Sequence, residues 1–241
     1  IPASYAATMC GDLATAYRIL HDFVKVEAGD CIVQSDAYST VGMALIQMAK
    51  QMGVKTVNVV DGNGPDADEM LRLLTNLGGD VNVTADYLGS HEFNSIMSGS
   101  SVKLMVLGDN VDSAADMARV GGEGSTMVSI GGVTLPKEVE SFVTNEMKVK
   151  TASFAISDWY KSCKVIDRAQ MNANIATMIR TNHLTMFFAE HDFDDFGFAL
   201  EQAQVPMALR KVVLRMDAPD RMAEHDALTA KDYEVFETDV V

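Results

Sequence analysis

The sequence predicts an α/β fold built on a Rossmann-type, doubly wound parallel sheet. Three observations carry that expectation. Short, continuously apolar runs such as Val102–Leu107 (VKLMVL) lack the polar alternation of a half-exposed strand and read as strands buried on both faces. Helix-like stretches alternate with these runs, the pattern of strand–helix–strand units. The turn after the first strand, Ala37–Gly42, leads into a helix and then a second strand ending in an acid, Asp61, about 19 residues beyond Gly42, the spacing of a dinucleotide-binding unit.

The elements follow in order. Asp30–Asp36 (DCIVQSD) is a strand entered from the Glu27–Ala28–Gly29 turn. Val41, Leu45, Met48 and Ala49 recur at helical spacing, and Gly53 is a natural left-handed stop. Lys55–Val60 is the second strand, Gly62–Asn63–Gly64–Pro65 a break, and Asp66–Leu77 a helix. Asp80–Thr84, Val102–Leu107, Ser125–Ile130 and Val149–Ile156 continue the strands. Ser90–Met97, Ser113–Val120 and Asp167–Arg180 are the helices between and after them. Beyond Asn182 the order is Leu184–Phe188, a helix over His191–Gln204 and a strand over Lys211–Met216. The expected organisation is a dinucleotide-binding domain over 1–160, a segment over 161–216 completing the same unit, and an acidic tail over 217–241. That tail carries eight acidic and two basic side chains, and few apolar anchors, so it reads as a loosely held extension.

Composition excludes several classes. With 34 acidic against 19 basic side chains the net charge is −15, which makes free nucleic acid a poor partner, because phosphate binding needs a concentrated cationic surface. Lys148, Lys150, Lys161 and Lys164 read as a solvated face. Cys10, Cys31 and Cys163 are widely spaced and form neither a disulfide framework nor a zinc site, so reduced thiols are expected. The five histidines have no paired ligand spacing, and no metal is expected. No apolar run reaches the roughly 18 residues of a membrane helix. No presequence is visible, but the chain opens at Ile1 without an initiator Met, so an upstream segment is expected.

The turn after the first strand is the first candidate site. A pyrophosphate sits where backbone N–H groups converge at a helix amino end. Of the usual three glycines only the packing one survives here, in Ala37-x-Ser39-x-x-Gly42. Asp61 is read either as an acceptor for adenosine ribose hydroxyls or as a turn aspartate capping the next helix. Gly131–Gly132 follows a buried strand at the carboxyl edge of the sheet, where ligands of open parallel sheets bind, and is read either as a cofactor turn or as a plain strand exit. Ser39 is not in a G-x-S-x-G setting, so a hydrolase elbow is not expected.

Three blocks carry a family resemblance: IPASYAATMCGDLATAYRIL, GDCIVQSDAYSTVGMALIQMAKQMGVKTVNVV and GSTMVSIGGV, with FALEQAQ and KVVLRM near the end. Their order resembles the medium-chain dehydrogenase/reductase superfamily, and within it the mitochondrial trans-2-enoyl-thioester reductases, from residue 1 to about Met216. The resemblance implies NADPH- or NADH-dependent reduction of the 2,3-double bond of an acyl thioester in mitochondrial fatty-acid synthesis, by hydride delivery to the β-carbon and protonation of the α-carbon. It implies a cofactor site at Ser39, Thr40, Val41, Gly42 and Asp61, with Thr15 on the nicotinamide side. Ile130, Gly131 and Gly132 form a lining loop, and Phe154 and Ile156 the wall beside the nicotinamide. It also implies a GroES-like catalytic domain with a tyrosine proton donor upstream of Ile1, toward which a short return segment leads, and dimerisation edge to edge through Thr126–Ile130 and Lys148–Ile156.

The chain departs from the family at several of these positions. Asp61 stands where NADPH-binding members place arginine, Ala155 stands at the wall tryptophan position, and Tyr38 and Thr40 are bulkier than the family's residues and are expected to crowd the pyrophosphate. These departures leave a second reading open, a catalytically inactive scaffold subunit of a larger mitochondrial assembly that has lost its cofactor.

Overall fold

The structure, a computed structural model, describes residues 1–60, 67–109, 111–205 and 209–216. Asp61 and the tail 217–241 lie outside the described residues. The described residues divide into two compact units, residues 1–187 with 209–211, and residues 188–205 with 212–216.

The first unit opens with helix α1 (Ala3–Thr8), a wide π-helical turn (Met9–Leu13) and α2 (Ala14–Asp22). Strand β1 (Cys31–Gln34) leads into α3 (Thr40–Met52), and β2 (Lys55–Val60) precedes α4 (Ala67–Asn76). Then come β3 (Val81–Thr84), α5 (His91–Met97), β4 (Val102–Leu107), α6 (Ala114–Gly121) and β5 (Thr126–Ile130). Helix α7 (Lys137–Ser141), a second π-helical turn (Phe142–Glu146), β6 (Lys150–Phe154), α8 (Ile156–Ser162) and α9 (Val165–Arg180) complete it.

The six strands form one sheet in the order β3-β2-β1-β4-β5-β6. Every pairing in it is parallel. The expected doubly wound sheet is therefore present, and its order reverses between β1 and β4, the point where such sheets open a crevice. Alternate side chains point to opposite faces. Val33, Val57, Val59, Met105 and Leu107 face a cluster closed by Phe93, Ala114, Met117 and Ala118 from α5 and α6. On another side Val60 packs with Met43, Ile46 and Leu74 from α3 and α4. Helix α3 stops as the sequence predicts: Gly53 adopts φ 69 and its N–H reaches back to Ala49 and Lys50 carbonyls, a conformation that costs glycine little.

The second unit holds β7 (Phe188–Asp192) and, beyond its first residue, β8 (Lys211–Arg215), which pair as a two-stranded sheet, followed on the β7 side by a 3-10 turn and α10 (Phe196–Ala203). Arg215 pairs with Asp192 at 3.1 Å, and His191 Nε2 lies 2.8 Å from Gln202 Oε1.

Three expectations are corrected. Residues 191 and 192 belong to a strand, and the helix expected over His191–Gln204 begins only at Phe196, because the Asp192–Asp195 stretch forms a cap and a 3-10 turn. Ile156, expected to end a strand, is the first residue of α8. Its predecessor Ala155 is the last extended residue, at φ −128 and ψ 123. Thr126–Ile130 has no free edge for a partner copy, since β4 pairs on one side and β6 on the other. Of the two strands expected at the edge, only β6 ends the sheet.

Candidate functional site

A cleft of about 550 Å³ opens at the carboxyl end of the sheet, where the strand order reverses. Five segments build it. The π-helical turn and α2 supply Asp12 and Thr15. The turn after β1 and the start of α3 supply Asp36, Ser39 and Val41. The exits of β4 and β5 supply Gly108, Asp109, Ile130, Gly131 and Gly132, and the β6–α8 junction supplies Phe154 through Ser157.

Each wall is fixed by local chemistry. Thr15 Oγ1 donates to the Gly11 carbonyl at 2.9 Å, tying its side chain to the preceding turn. Asp12 is held by Lys211, whose Nζ lies 2.7 Å from Oδ2. Ser35 Oγ accepts the Gly108 N–H at 2.9 Å, which joins the exits of β1 and β4. Ser39 is extended and caps α3, its Oγ accepting the Gly42 N–H at 3.1 Å. A serine cap satisfies one of the helix's unpaired donors. Gly42 itself lies beneath the cleft rather than in its lining: a methyl there would meet the Ala37 carbonyl oxygen at 2.6 Å. Phe154 is 8% exposed and meets Phe23 edge-on, with ring centroids 5.6 Å apart. Gly131 and Gly132 both take positive φ, 71 and 79, so the turn brings backbone to the cleft without side chains.

The cleft thus gathers Thr15, Ser39, Val41, Ile130, Gly131, Gly132, Phe154 and Ile156 among the residues singled out from sequence. Thr40 is the first residue of α3 and does not line it, and Asp61 lies outside the described residues. Sequence reasoning missed Asp12, Asp36, Gly108, Asp109 and Ser157. Gly108–Asp109 carried a usable signal, since they follow a buried strand just as Gly131–Gly132 do. Asp36 had none, because its importance comes from a left-handed φ of 50.

One expected obstacle is displaced. Tyr38 does not line the cleft. It packs against the cluster of Ala37, Met43, Ile46, Val60 and Leu74, and its hydroxyl donates to Asp36 Oδ1 at 3.3 Å. The group that opposes an anion here is the Asp36 carboxylate, which also rests over Gly108, where any Cβ would collide with it. Asp109 adds a second carboxylate on the same side of the cleft. Asp36→Asn keeps a residue type tolerant of left-handed backbone while removing the charge. It is expected to tighten binding of a pyrophosphate-bearing ligand by about three- to tenfold, the scale of one charge at intermediate dielectric. Calorimetric titration reads the change, and equal affinities would refute the electrostatic account.

Tyr160 in α8 is the phenol closest in sequence to the wall. Burial, reinforced by the neighbouring Cys10 thiol, pushes its pKa up to about 12, which makes it a poorer proton donor than an ordinary tyrosine. No cluster of metal-ligating side chains occurs among the described residues, and no described helix is long and apolar enough to cross a membrane.

No family model matches the chain. The mitochondrial enoyl-[acyl-carrier-protein] reductase of Dictyostelium discoideum is 30% identical over 218 residues, covering 89% of this chain and 61% of the relative. That of Xenopus tropicalis is 31% identical over 226 residues, covering 90% and 63%, and that of Homo sapiens 30% over 221 residues, covering 90% and 58%. The chain therefore spans about three fifths of the length of these relatives. Among solved structures, the Etr1p complex with NADP and crotonyl-CoA superposes with a TM-score of 0.74 at 22% identity, covering 85% of this chain and 60% of that one. A putative NADPH:quinone reductase from Bacillus thuringiensis gives 0.76 at 14% identity, covering 90% and 65%. These structures share the fold. The comparisons give the scaffold reading no support. Over about nine tenths of its length the chain is thus similar to the mitochondrial enoyl-[acyl-carrier-protein] reductases, and it shares its fold with solved enoyl thioester reductases.

Proposed function

We propose that the cleft holds a nicotinamide dinucleotide and that the chain is the cofactor-binding part of a mitochondrial enoyl-thioester reductase. The observation that carries this reading is the convergence, at the strand-order reversal, of the α3 amino end, the Gly131–Gly132 turn and the Phe154–Ile156 wall on one cleft. The fit to such a cofactor is good on the apolar side and opposed on the anionic one. The backbone N–H groups of Thr40 and Val41 face the α3 amino end, where a helix favours negative charge, while Asp36 and Asp109 offset part of that attraction.

Bound there, the reduced nicotinamide supplies the hydride for the β-carbon of a 2-enoyl thioester. The chain's own residues bind and orient it. Thr15 and the Phe154–Ile156 wall would flank the ring, and the near-complete burial of Phe154 would keep that side dry. The Gly131–Gly132 turn allows backbone to approach the cofactor closely. Tyr160 is not assigned the proton for the α-carbon. Residues 1–160 form the dinucleotide-binding domain, and 161–216 complete the same reductase unit. The partners in this reading are an acyl thioester and a second copy of the chain paired along β6.

Titration of the chain with NADPH and with NADH, followed by nucleotide fluorescence, tests the reading. Saturation is expected below about 1 mM, the upper end of ordinary cofactor and substrate constants. Absence of binding for both nucleotides at that concentration would overturn it. Asp61→Arg in the same titration is expected to shift preference toward NADPH, since a guanidinium attracts the additional phosphate that a carboxylate repels.

A further inference from the structure

A row of amide side chains crosses the first three strands at one register. Gln34 on β1 stands opposite Asn58 on β2, and Asn58 opposite Asn82 on β3. Gln34 Nε2 donates to Asn58 Oδ1 at 2.8 Å. Asn58 Nδ2 donates onward to Asn82 Oδ1 at 2.8 Å, and Asn82 Nδ2 reaches Thr75 Oγ1 at 2.9 Å and the Gly79 carbonyl at 3.2 Å. Gly79 makes room for the row: a Cβ there would lie 2.5 Å from Asn58 Nδ2.

Gln34 and Asn58 are completely buried. Buried amides must be desolvated and then fully paired merely to break even, so apolar residues at these positions would hold the sheet at least as well. Stability alone does not account for the row, and its inner end indicates what does. The second hydrogen of Gln34 Nε2 goes to the Gly42 carbonyl at 3.1 Å, in the first turn of α3. That carbonyl dictates which way the amide faces, and Gln34 Oε1 is left buried without a hydrogen-bond partner. Gly42 follows directly on Val41, which lines the cleft, and its own N–H holds the Ser39 cap.

We propose that Gln34 is a positioning residue for the dinucleotide. Through Gly42 it fixes where the first turn of α3 presents the Thr40 and Val41 N–H groups, and Asn58 holds its amide in the donating orientation. The inference rests on the cofactor reading above and deepens it.

The test measures NADPH affinity and melting temperature together, on the chain as it stands and on four variants. Gln34→Leu removes the donor, and Gln34→Glu keeps the shape but presents acceptors to the Gly42 carbonyl. Both are expected to weaken NADPH binding by about tenfold, the equilibrium effect of losing one buried polar contact. Asn82→Ala cuts the far end of the row, and is expected to lower the melting temperature while leaving affinity within about twofold, because Asn82 is partly exposed and water replaces its partners. Gln34→Leu combined with Asn58→Val removes both partners at once. It is expected to recover stability without recovering affinity, so it remains informative if Gln34→Leu alone unfolds. Wild-type affinity in the folded Gln34 variants would overturn the proposal, as would an equal loss in Asn82→Ala. Failure of the unaltered chain to bind either nucleotide would instead remove the cofactor reading, and the positioning role with it.

Discussion

Gly42→Val is expected to lower the melting temperature by about 4–12 °C and to abolish dinucleotide binding. The side chain would have to enter a space already occupied by backbone. A Cβ at this position meets the Ala37 carbonyl oxygen at 2.6 Å, its Cα at 2.7 Å and its carbonyl carbon at 2.8 Å. No rotamer change relieves contacts with main chain, so either α3 or the Ala37 turn must move. Overpacking of this kind costs about 3 kcal/mol. Replacing a helical glycine gains back at most about 1 kcal/mol of propensity, so the clash wins. At about 2–4 °C per kcal/mol for a domain of this size, the shift is easily read by calorimetry. Binding fails for the same reason, since the first turn of α3 is the wall that moves. A melting temperature within about 2 °C of the parent, a shift smaller than 1 kcal/mol would produce, would show that the turn has slack the geometry denies.

Leu13→Ala acts on the opposite wall and is expected to cost about 2–5 kcal/mol, the range for deleting a leucine from a packed interior. Leu13 is 0% exposed and closes the π-helical turn between Asp12 and Thr15, both of which line the cleft. The wide turn leaves fewer backbone bonds to resist collapse into the cavity, so Asp12 and Thr15 lose their fixed spacing together. Denaturant unfolding should show a lower midpoint with an unchanged slope, and the residual folded protein should bind dinucleotide more weakly. A loss of stability with full affinity would mean that this wall does not contribute to the site.

The order of elements was legible wherever one physical signal dominated. The strands Lys55–Val60 and Val102–Leu107 have the expected bounds, because short runs rich in valine and leucine, bounded by turn residues, suit a sheet covered on both faces. Gly53 marked the end of α3 for a steric reason that needs no tertiary information. The site was legible in part. Ser39, Val41 and Gly131–Gly132 lie at strand exits, which the chain order predicts, whereas Asp36 becomes a cleft residue through a left-handed backbone that nothing local announces. Tyr38 misled because bulk beside a cofactor turn says nothing about direction, and here the ring turns to the α3–α4 cluster. The stretch after Phe188 was misread because alternation over five residues is too short to separate a strand from the start of a helix.

The central place of β1 has a consequence for synthesis. Its partner on one flank, β2, is the next strand in the chain, but its partner on the other, β4, begins only at Val102. A nascent chain emerging amino end first therefore holds Cys31–Gln34 with one row of peptide groups unsatisfied until some seventy further residues have left the ribosome. Through that interval the edge of a strand destined for complete burial is open to any passing strand, which makes the arrival of β4 the event that closes it.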